Sequence, residues 1–377
     1  MKTCKYFERC GGCKNLLIPY DTQLEEKSKW VKNLFNKYSV NVDIPKTIGM
    51  FFPYKYRNKI HLSIKSLKGK TIVGFFEEGS SKVTDIDSCL LHPDWAADLI
   101  ALVRNYLKKY RITPYDPITK SGTIRYVVAR VLDGQAVISL VMTSNNFAGR
   151  DYLYAKLQEI FKKVSLYVNI NKRTDKLVFD ANGFKLIAGD KYLESKILGV
   201  KLLSSPNSFL QVNTEICKAM YQKACEWLEL GKEDNVLDLY SGIGIISIYF
   251  ARFAKSVTSI EYNSEATSMA VLNKKLNETI NLDIRTGACE KVVKDLDITK
   301  YNKIFLDPAR AGVEDGCIKS LLDSNAETIV YMSCNPETLA RDVKKLLVKY
   351  DISQIQTYDM FAQTPEVETL VCLKRKS

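Results

Sequence analysis

Residues 60 to 204 consist mainly of short segments in which apolar residues alternate with polar ones. The clearest of them are rich in β-branched residues: Thr71–Phe76, Ile124–Leu132 and Ala136–Met142. A period of two residues is typical of strands that bury one face. Asp133-Gly134 stands between the last two segments and is a strong hairpin signal. Together with one helix-like stretch near Trp95–Tyr110, the pattern predicts an antiparallel α+β half.

The pattern changes at Ser205, where strand-like and helix-like segments begin to alternate. Such alternation predicts a parallel sheet with crossover helices, which is a Rossmann-like α/β fold. We count about seven strand-like segments. The clearest are a strand with a glycine turn over residues 235–244, Ser256–Glu261, Lys303–Leu306, a run from Val330 that ends on Cys334, Ile352–Asp359 and Glu368–Leu373.

The change of pattern predicts two domains, residues 1–205 and residues 206–377. Residues 21–37 place apolar side chains at helical spacing among charged positions, which predicts an amphipathic helix. We expect the helical segment of about residues 16–47 to pack on the second domain.

Bulk composition narrows the class of protein. The chain has 377 residues, of which 46% are hydrophobic and 26% charged, as is typical of globular proteins. It has no run of about 20 apolar residues and no secretory signal at its start, so we expect a cytoplasmic protein without a membrane partner or an evident obligate protein partner.

Ten cysteines in such a protein indicate reduced thiols or a metal site. The net charge of +12 favours nucleic acid as a partner, and a merely basic surface is the alternative.

Three cysteines near the start, Cys4, Cys10 and Cys13, have the spacing C-x5-C-x2-C. Glycines in the last gap allow the backbone to wrap around a centre. Cys89 is the isolated candidate for a fourth ligand. Structural zinc sites usually supply two close pairs of ligands, whereas three clustered cysteines and one distant cysteine better suit an iron–sulfur cluster. Zinc is the second interpretation, and unligated cysteines are the third.

Aromatic and cationic residues alternate in the stretch Phe52-Pro53-Tyr54-Lys55-Tyr56-Arg57-Asn58-Lys59. Aromatic side chains stack on bases and cations neutralise phosphates, so this stretch is a candidate contact with nucleic acid. A solvated edge strand bordered by lysines is the alternative interpretation.

Residues able to bind a ligand follow several strands of the predicted parallel sheet. Gly242 and Gly244 follow the first strand and allow the next helix to begin close to a ligand, although Ser247 stands where a dinucleotide fingerprint needs a third glycine. Glu261 ends the second strand, where ribose hydroxyls are held in this architecture. Asp307 and Cys334 follow two further strands. A lone cysteine is more often a small buried hydrophobe, so its neighbours must decide its role.

These motifs resemble those of the S-adenosylmethionine-dependent RNA 5-methyluridine methyltransferases. The resemblance covers nearly the whole chain and rests on motifs in the same order: Cys4, Cys10, Cys13 and Cys89, Ser208–Asn213, Asp238–Gly244, Asp307–Arg310, Ser333–Asn335 and Val367–Glu368. It implies a class I methyltransferase domain preceded by an RNA-binding domain. The cysteines match the subgroup that carries a [4Fe–4S] cluster.

Carried over residue by residue, the resemblance implies that Cys334 is the nucleophile and Glu368 the base. The same matching places a larger set around the methyl donor and the uracil: Gln211, Tyr240, Gly242, Gly244, Glu261 and Asp307. Phe209 would pack beside the flipped base, and Arg310 would face the substrate. In such an enzyme the thiolate adds to carbon 6 of uracil, which makes carbon 5 nucleophilic.

Two features modify what the resemblance implies. The family commonly has histidine two positions before the base, and this chain has Glu366, which raises the pKa of the base by repulsion or is itself the working group. We expect Glu368 to be the base because it follows Val367 as in the family.

Only three residues precede Cys4, so the amino-terminal OB-like domain of some relatives is absent, which favours 23S ribosomal RNA over transfer RNA.

Competing functions make different demands on the same motifs. An adenine or cytosine amino-methyltransferase would have an aromatic residue where this chain has Arg310, and a 5-methylcytosine enzyme would have a second cysteine in the Asp307 motif. A transfer-RNA uridine methyltransferase and a non-catalytic iron–sulfur RNA-binding protein remain the alternatives.

Overall fold

The structure is a computed structural model that describes residues 2–145, 147–173, 175 and 177–377. The chain forms two compact units. Unit 1 contains the chain up to Leu17, Phe52–Ser195 and Leu203–Asn207. Unit 2 contains Ile18–Phe51, Lys196–Leu202 and Ser208–Ser377. The domain limits given above, 1–205 and 206–377, stay a prediction.

The α-helices of the described residues are, in chain order, α1 (Phe7–Cys10), α2 (Tyr20–Lys37), α3 (Trp95–Lys109), α4 (Arg150–Ile160), α5 (Thr214–Leu228), α6 (Ile245–Ala251), α7 (Ser264–Leu276), α8 (Cys289–Val292), α9 (Asp315–Asp323) and α10 (Pro336–Leu346). Two short 3₁₀ turns, Val293–Asp295 and Ile298–Lys300, follow α8. None of the described helices combines the length and the apolar composition that a membrane crossing needs.

The strands are β1 (Lys59–Leu67), β2 (Lys70–Phe76), β3 (Val83–Asp85), β4 (Ile124–Leu132), β5 (Gln135–Met142), β6 (Lys163–Ile170), β7 (Phe184–Ala188), β8 (Leu193–Ile197), β9 (Val200–Ser204), β10 (Asn235–Leu239), β11 (Ser256–Glu261), β12 (Leu282–Thr286), β13 (Lys303–Leu306), β14 (Thr328–Ser333), β15 (Tyr350–Tyr358) and β16 (Glu368–Arg375). Strands β8 and β9 form a two-stranded sheet, whose residues are divided between the units.

Unit 1 is built on a seven-stranded sheet in the order β3-β2-β1-β4-β5-β6-β7. Its neighbouring strands are antiparallel except β5 and β6, which are parallel. Asp133 and Gly134 join β4 to β5 with φ of 52° and 77°, which confirms the predicted hairpin turn. One face packs on α3 and α4 through residues such as Leu62, Val127 and Leu99. The opposite face carries Lys59 and Arg130 among other polar side chains, since side chains alternate across a sheet.

Unit 2 is a seven-stranded mixed sheet in the order β12-β11-β10-β13-β14-β16-β15. Strands β12, β11, β10, β13 and β14 are parallel, and β16 is antiparallel to both of its neighbours. This arrangement confirms the predicted Rossmann-like α/β fold. Because the central strands are buried on both faces, they are rich in apolar residues, as in Ile304, Phe305 and Leu306 of β13.

Helix α2 belongs to the core of unit 2, where its Val31 and Phe35 are fully buried beside Leu339 and Val343 of α10. A buried ion pair also holds the helix, since the Lys27 ammonium lies 2.5 Å from the Asp359 carboxylate. An ammonium buried in this way needs such a partner because burial alone disfavours its charged form.

Candidate active site

Five chain segments bring the predicted site residues to one edge of the sheet in unit 2. The parallel strands β10, β11, β13 and β14 all end there, which places Tyr240, Glu261, Asp307 and Cys334 at their carboxyl ends. The antiparallel strand β16 begins at the same edge, because its Thr369 pairs with Ser333 of β14. Open α/β sheets bind their ligands at this edge.

The loop between β10 and α6 turns sharply around its glycines. Gly242 and Gly244 have φ of 56° and 82°, and Tyr240 also has a positive φ of 65°. A side chain at a positive φ is strained unless its surroundings hold it, and such strain is frequent at ligand sites. The Gly242 N–H donates to the Glu261 carboxylate at 2.9 Å, and the Asn263 N–H donates to its other oxygen at 2.8 Å. Glu261 therefore fixes the glycine loop as well as ending its strand.

A cleft opens beside this loop and contacts five of the predicted residues: Phe209, Gln211, Tyr240, Gly242 and Asp307. Phe305, Ile246 and Tyr221 supply an apolar and aromatic wall. An atom added at Gly242 in the place of a Cβ would meet nothing within 4 Å. The loop thus leaves open space where a ligand can approach the backbone.

Two carboxyl groups near the cleft are strongly desolvated. Asp238 is fully buried, the Ser247 hydroxyl donates to its Oδ2, and its Oδ1 has no partner among the described residues. Burial raises the pKa of Asp238 to about 8. Asp307 keeps some contact with solvent, yet desolvation by the surrounding protein raises its pKa to about 7. Perturbed carboxyl groups of this kind cluster at functional sites.

Cys334 follows the last residue of β14 and is half-buried. Burial raises the pKa of its thiol to about 11, and the carboxylates of Glu368 and Asp307 raise it further, whereas Arg310 opposes them. These electrostatic effects show that the thiol and both carboxylates share one environment. The next residue, Asn335, caps α10 by accepting from Glu337 N at 3.2 Å and donates to the Arg310 carbonyl at 2.9 Å. The two strand-end loops are thus joined beside the thiol.

Glu368 is the first residue of β16, and its side chain is 1% exposed. Its Oε2 has no partner within the described residues. Burial raises the pKa of Glu368 well above its ordinary value, and the Asp307 carboxylate adds to the effect. Glu366, two positions earlier, instead pairs with Arg310 at 2.8 Å near the surface.

Phe209 lies at the mouth of the cleft with 69% of its surface exposed, which leaves a ring available for stacking. Gln211 lines the same cleft, and Asn213 begins α5 by accepting from Ile216 N at 3.3 Å. Sequence reasoning gave no role to Tyr221 and Asp238. Tyr221 is one of several apolar and aromatic residues at helical spacing on α5, a pattern that indicates only a core, and nothing in the pattern signals its place on the cleft wall.

In unit 1, all four predicted cluster ligands line one cavity: Cys4, Cys10, Cys13 and Cys89. They are free thiols, and each is partly exposed. Burial raises the pKa of Cys13 to about 12, and the neighbouring Cys89, Cys10 and Cys4 add to it while Arg57 opposes them. Across the described ranges, however, no three His, Cys, Asp or Glu side chains are placed to hold one metal ion.

Comparison with known proteins agrees with this geometry. The family model described as tRNA (Uracil-5-)-methyltransferase matches residues 19–376. An uncharacterized RNA methyltransferase of Listeria monocytogenes is 33% identical over 98% of this chain and 83% of its own length. A similarly named protein of Clostridium tetani is 32% identical over 98% of this chain and 82% of its own length.

Among solved structures, the tRNA (uracil-54, C5)-methyltransferase of Pyrococcus abyssi, in complex with S-adenosyl-L-homocysteine, superposes with a TM-score of 0.80. It is 27% identical, and the match covers 96% of this chain and 85% of that one. The predicted fold of an S-adenosylmethionine-dependent class I methyltransferase is thereby confirmed. The chain belongs to the tRNA (uracil-5-)-methyltransferase family and is an S-adenosylmethionine-dependent RNA (uracil-5-)-methyltransferase.

Proposed function

We propose that the protein methylates carbon 5 of a specific uridine in 23S ribosomal RNA, through a covalent bond between Cys334 and carbon 6 and proton removal by Glu368. The observation that carries the proposal is the shared environment of Cys334, Asp307 and Glu368 at one edge of the sheet, where each carboxylate raises the pKa of the thiol.

Carbon 5 of uracil is a poor nucleophile, so the first step makes it electron-rich. The Cys334 thiolate forms a bond to carbon 6, and the electrons of the 5,6 double bond move onto carbon 5 and the carbonyl oxygen at carbon 4. Such covalent catalysis divides one difficult step into easier ones. The thiol is well placed for this attack because it is half-buried and follows a strand at the sheet edge where the other site residues lie.

Glu368 completes the reaction after carbon 5 has gained the methyl group. Its carboxylate takes the proton from carbon 5, the electrons of that C–H bond restore the double bond, and the bond between sulfur and carbon 6 breaks. Its raised pKa suits a group that must accept a proton. Glu366 suits this role less well, because its carboxylate is already engaged by Arg310.

Uracil recognition falls to the residues around the cleft. An Asp307 carboxylate accepts a hydrogen bond from the N3–H of uracil, which cytosine lacks. Gln211 offers an amide to a carbonyl edge, and the exposed ring of Phe209 supports a base that has left its stack. Arg310, at the mouth of the site beside Cys334, faces the RNA.

The cleft beside the glycine loop fits a bound methyl donor. S-adenosylmethionine supplies a methyl group on a positively charged sulfur. Tyr240, Gly242, Gly244 and Glu261 would hold its adenosine and amino-acid parts, and the Ser241 hydroxyl is a buried polar group that has no partner in the described part of the chain. The open space at Gly242 allows the close approach of a ligand to the backbone.

The four cysteines of unit 1 fit a [4Fe–4S] cluster, which takes one thiolate at each iron and therefore does not require four sulfurs around a single ion. Cys4, Cys10, Cys13 and Cys89 would be the ligands. None of the described residues that line the cavity is a carboxylate, and the Arg57 charge favours the thiolate form of three of the cysteines. Gly11 has a φ of 64°, and a Cβ there would lie 2.8 Å from Glu78 Cβ, so the cysteine loop needs glycine.

The aromatic and cationic stretch of unit 1 supports an RNA contact. Phe52 is 48% exposed, and its ring lies 5.4 Å from that of Tyr54 in an edge-on arrangement. The Lys2 ammonium lies 4.8 Å from the centre of the Phe52 ring. An exposed ring beside a cation is suited to a stacked base with a neighbouring phosphate.

The choice of ribosomal RNA rests on the cysteine set, which resembles that of the iron–sulfur ribosomal subgroup. Transfer RNA is the second candidate, and the name of the Pyrococcus abyssi enzyme favours it. Mass-spectrometric mapping of 5-methyluridine in both RNAs, from cells with and without the gene, separates the two. Loss of the modification in transfer RNA alone would overturn the ribosomal assignment.

The covalent mechanism is tested by trapping. With S-adenosylmethionine and 23S RNA carrying 5-fluorouridine, the wild-type protein should form a complex that survives denaturation, because fluorine cannot leave as a proton does. Cys334→Ala should form none. Glu368→Gln should accumulate a covalent complex on ordinary RNA, since the adduct forms but does not resolve. A trapped Cys334→Ala complex, or normal product release by Glu368→Gln, would contradict the mechanism.

A further inference from the structure

Arg130 of β4 is a buried cation without a counter-charge. Its side chain is 5% exposed, and its Nε and Nη1 have no hydrogen-bond partner in the described ranges. Desolvation lowers the pKa of Arg130 to about 10. A buried charge without a partner is strongly unfavourable, so its presence calls for a ligand or a function.

A small void lies against the guanidinium. Its walls include Val137 of β5, Leu193 of β8, the Gln135 side chain and Ser195, and its volume of about 10 Å³ admits one oxygen atom. The space around the void includes open solvent. The Ser195 hydroxyl and Gln135 Oε1 are also buried without partners in the described chain. Four polar atoms thus surround the same small space.

The surroundings are positive. Lys59 of β1 stands directly opposite Arg130 in the sheet, and burial and the Arg130 charge lower its pKa to about 8. His61 lies on the same face two residues further along β1. Glu194 borders the void, but its side chain is exposed, and the described part of the chain shows no ion pair between it and Arg130. A water molecule would pair with these atoms without balancing the positive charge, whereas an oxyanion would accept from the Arg130 and Ser195 donors and balance that charge.

We propose that the void beside Arg130 is a phosphate site in unit 1, where one oxygen of an RNA backbone phosphate accepts from the Arg130 guanidinium and from the Ser195 hydroxyl. The inference rests on RNA being the substrate. It adds a phosphate contact to those proposed above, next to Lys59, the last residue of the aromatic and cationic stretch. Arginine suits the role because its guanidinium keeps its charge even when buried and donates to phosphate oxygens.

The first measurement is the thermal stability of the whole protein without RNA. In phosphate-free buffer, Arg130→Met should unfold at a higher temperature than the wild type, because it removes an unpaired buried charge. Added inorganic phosphate should raise the unfolding temperature of the wild type and leave that of Arg130→Met unchanged. An arginine that serves only the fold would give a variant of lower stability and no phosphate effect, which would overturn the proposal.

The second measurement is the affinity for a 23S RNA transcript as a function of salt. Arg130→Met should bind about tenfold more weakly, and its slope of log affinity against log salt should be smaller by about 0.7 to 0.9. Lys70→Met removes an equal charge from an exposed position on β2 and should keep the wild-type slope. A wild-type slope in Arg130→Met, with phosphate still stabilising the wild type, would show that the site takes free phosphate only and would overturn the RNA contact. A wild type that bound no RNA would instead refute the proposed function itself.

Discussion

Arg310 donates from Nη2 to the Glu366 carboxylate at 2.8 Å, two residues before the buried Glu368. The pair lies near the surface, with side chains that are 66% and 43% exposed. Glu368 is influenced by both partners, because Arg310 lowers its pKa and Glu366 raises it. The residue that replaces the usual histidine of the family therefore adjusts the charge around the proposed base.

Replacing Glu366 by glutamine should move the pH dependence of methylation toward lower pH. The substitution removes a like charge near Glu368 and leaves Arg310 unpaired, and both changes lower the pKa of Glu368. Since a base works in its deprotonated form, the acidic limb of the single-turnover rate should shift to lower pH. The change in folding stability should stay within about 1 kcal/mol, as for other exposed ion pairs.

Glu368→Gln is the matched variant for this measurement, and it should lose about 10²-fold or more of the rate. If Glu366→Gln lost as much, and Glu368→Gln little, the base would be Glu366.

The thiol of Cys334 should react slowly with iodoacetamide at neutral pH. Burial and the neighbouring carboxylates raise its pKa to about 11, so the reactive thiolate is scarce in the free protein. The rate of alkylation should rise about tenfold for each pH unit below that value. Peptide mass spectrometry after short exposures gives the rate for this residue, and Cys334→Ala identifies its signal. A rate that levelled off near pH 8 would show that the thiol is already activated before RNA binds.

Much of the catalytic sheet could be predicted from the sequence because its central strands are rich in apolar, β-branched residues and are followed by glycines or by polar residues. The strands Ser256–Glu261 and Lys303–Leu306 have the predicted limits. Strand β15 begins at Tyr350, two residues before its predicted start, and an irregularity between Ile352 and Gln354 interrupts its alternation. Patterns with a period of two residues fail where a strand bulges.

The side-chain network of the site was less accessible to sequence reasoning. Arg310 and Glu366 are 56 positions apart, and their pairing depends on the path of two loops and on rotamers. The burial of Asp238 was also missed, because a carboxylate inside a glycine motif is usually interpreted as a ligand contact. Asp238 accepts from Ser247, and the two residues meet because Ser247 lies in the first turn of α6. The position of that turn is known only from the folded structure.

Asp238 should make the free protein less stable as pH rises. Its pKa is about 8 in the folded state and near 4 when unfolded, so the folded state holds the proton more tightly. The resulting stabilisation is fully present below about pH 4 and is lost as pH rises through about 8. Asp238→Asn should reduce this loss by several kcal/mol, at about 1.4 kcal/mol for each pKa unit.

Urea unfolding of the free protein at pH 5, 7 and 8.5 measures this effect. The exposed Asp295 offers a control, since Asp295→Asn should leave the slope of stability against pH unchanged. An equal slope in the wild type and in Asp238→Asn would mean that Asp238 is ionised in the folded protein.

Anaerobic purification should yield a brown protein with about four irons per chain if the four cysteines hold a cluster. Cys10→Ser should lose most of the iron, whereas Cys225→Ser, which changes a partly exposed thiol on α5, should retain it. Iron and zinc analysis together decide the question. One zinc per chain without iron would contradict the cluster.

Breaking the buried pair between Lys27 and Asp359 should destabilise unit 2 more than any surface ion pair does. Both side chains are at most 3% exposed, and Asp359 also accepts from the Tyr20 hydroxyl at 2.7 Å. In Lys27→Met the Asp359 charge stays buried without its cation, which should lower the free energy of unfolding by about 3 to 5 kcal/mol.

Lys32→Met is the matched control on the same helix. The Asp43 partner of Lys32 is fully exposed, so the expected loss is below about 1 kcal/mol. Urea unfolding of the two variants, monitored by circular dichroism, measures both losses. Equal losses would mean that α2 is not anchored in the core of unit 2, contrary to the burial of its Val31 and Phe35.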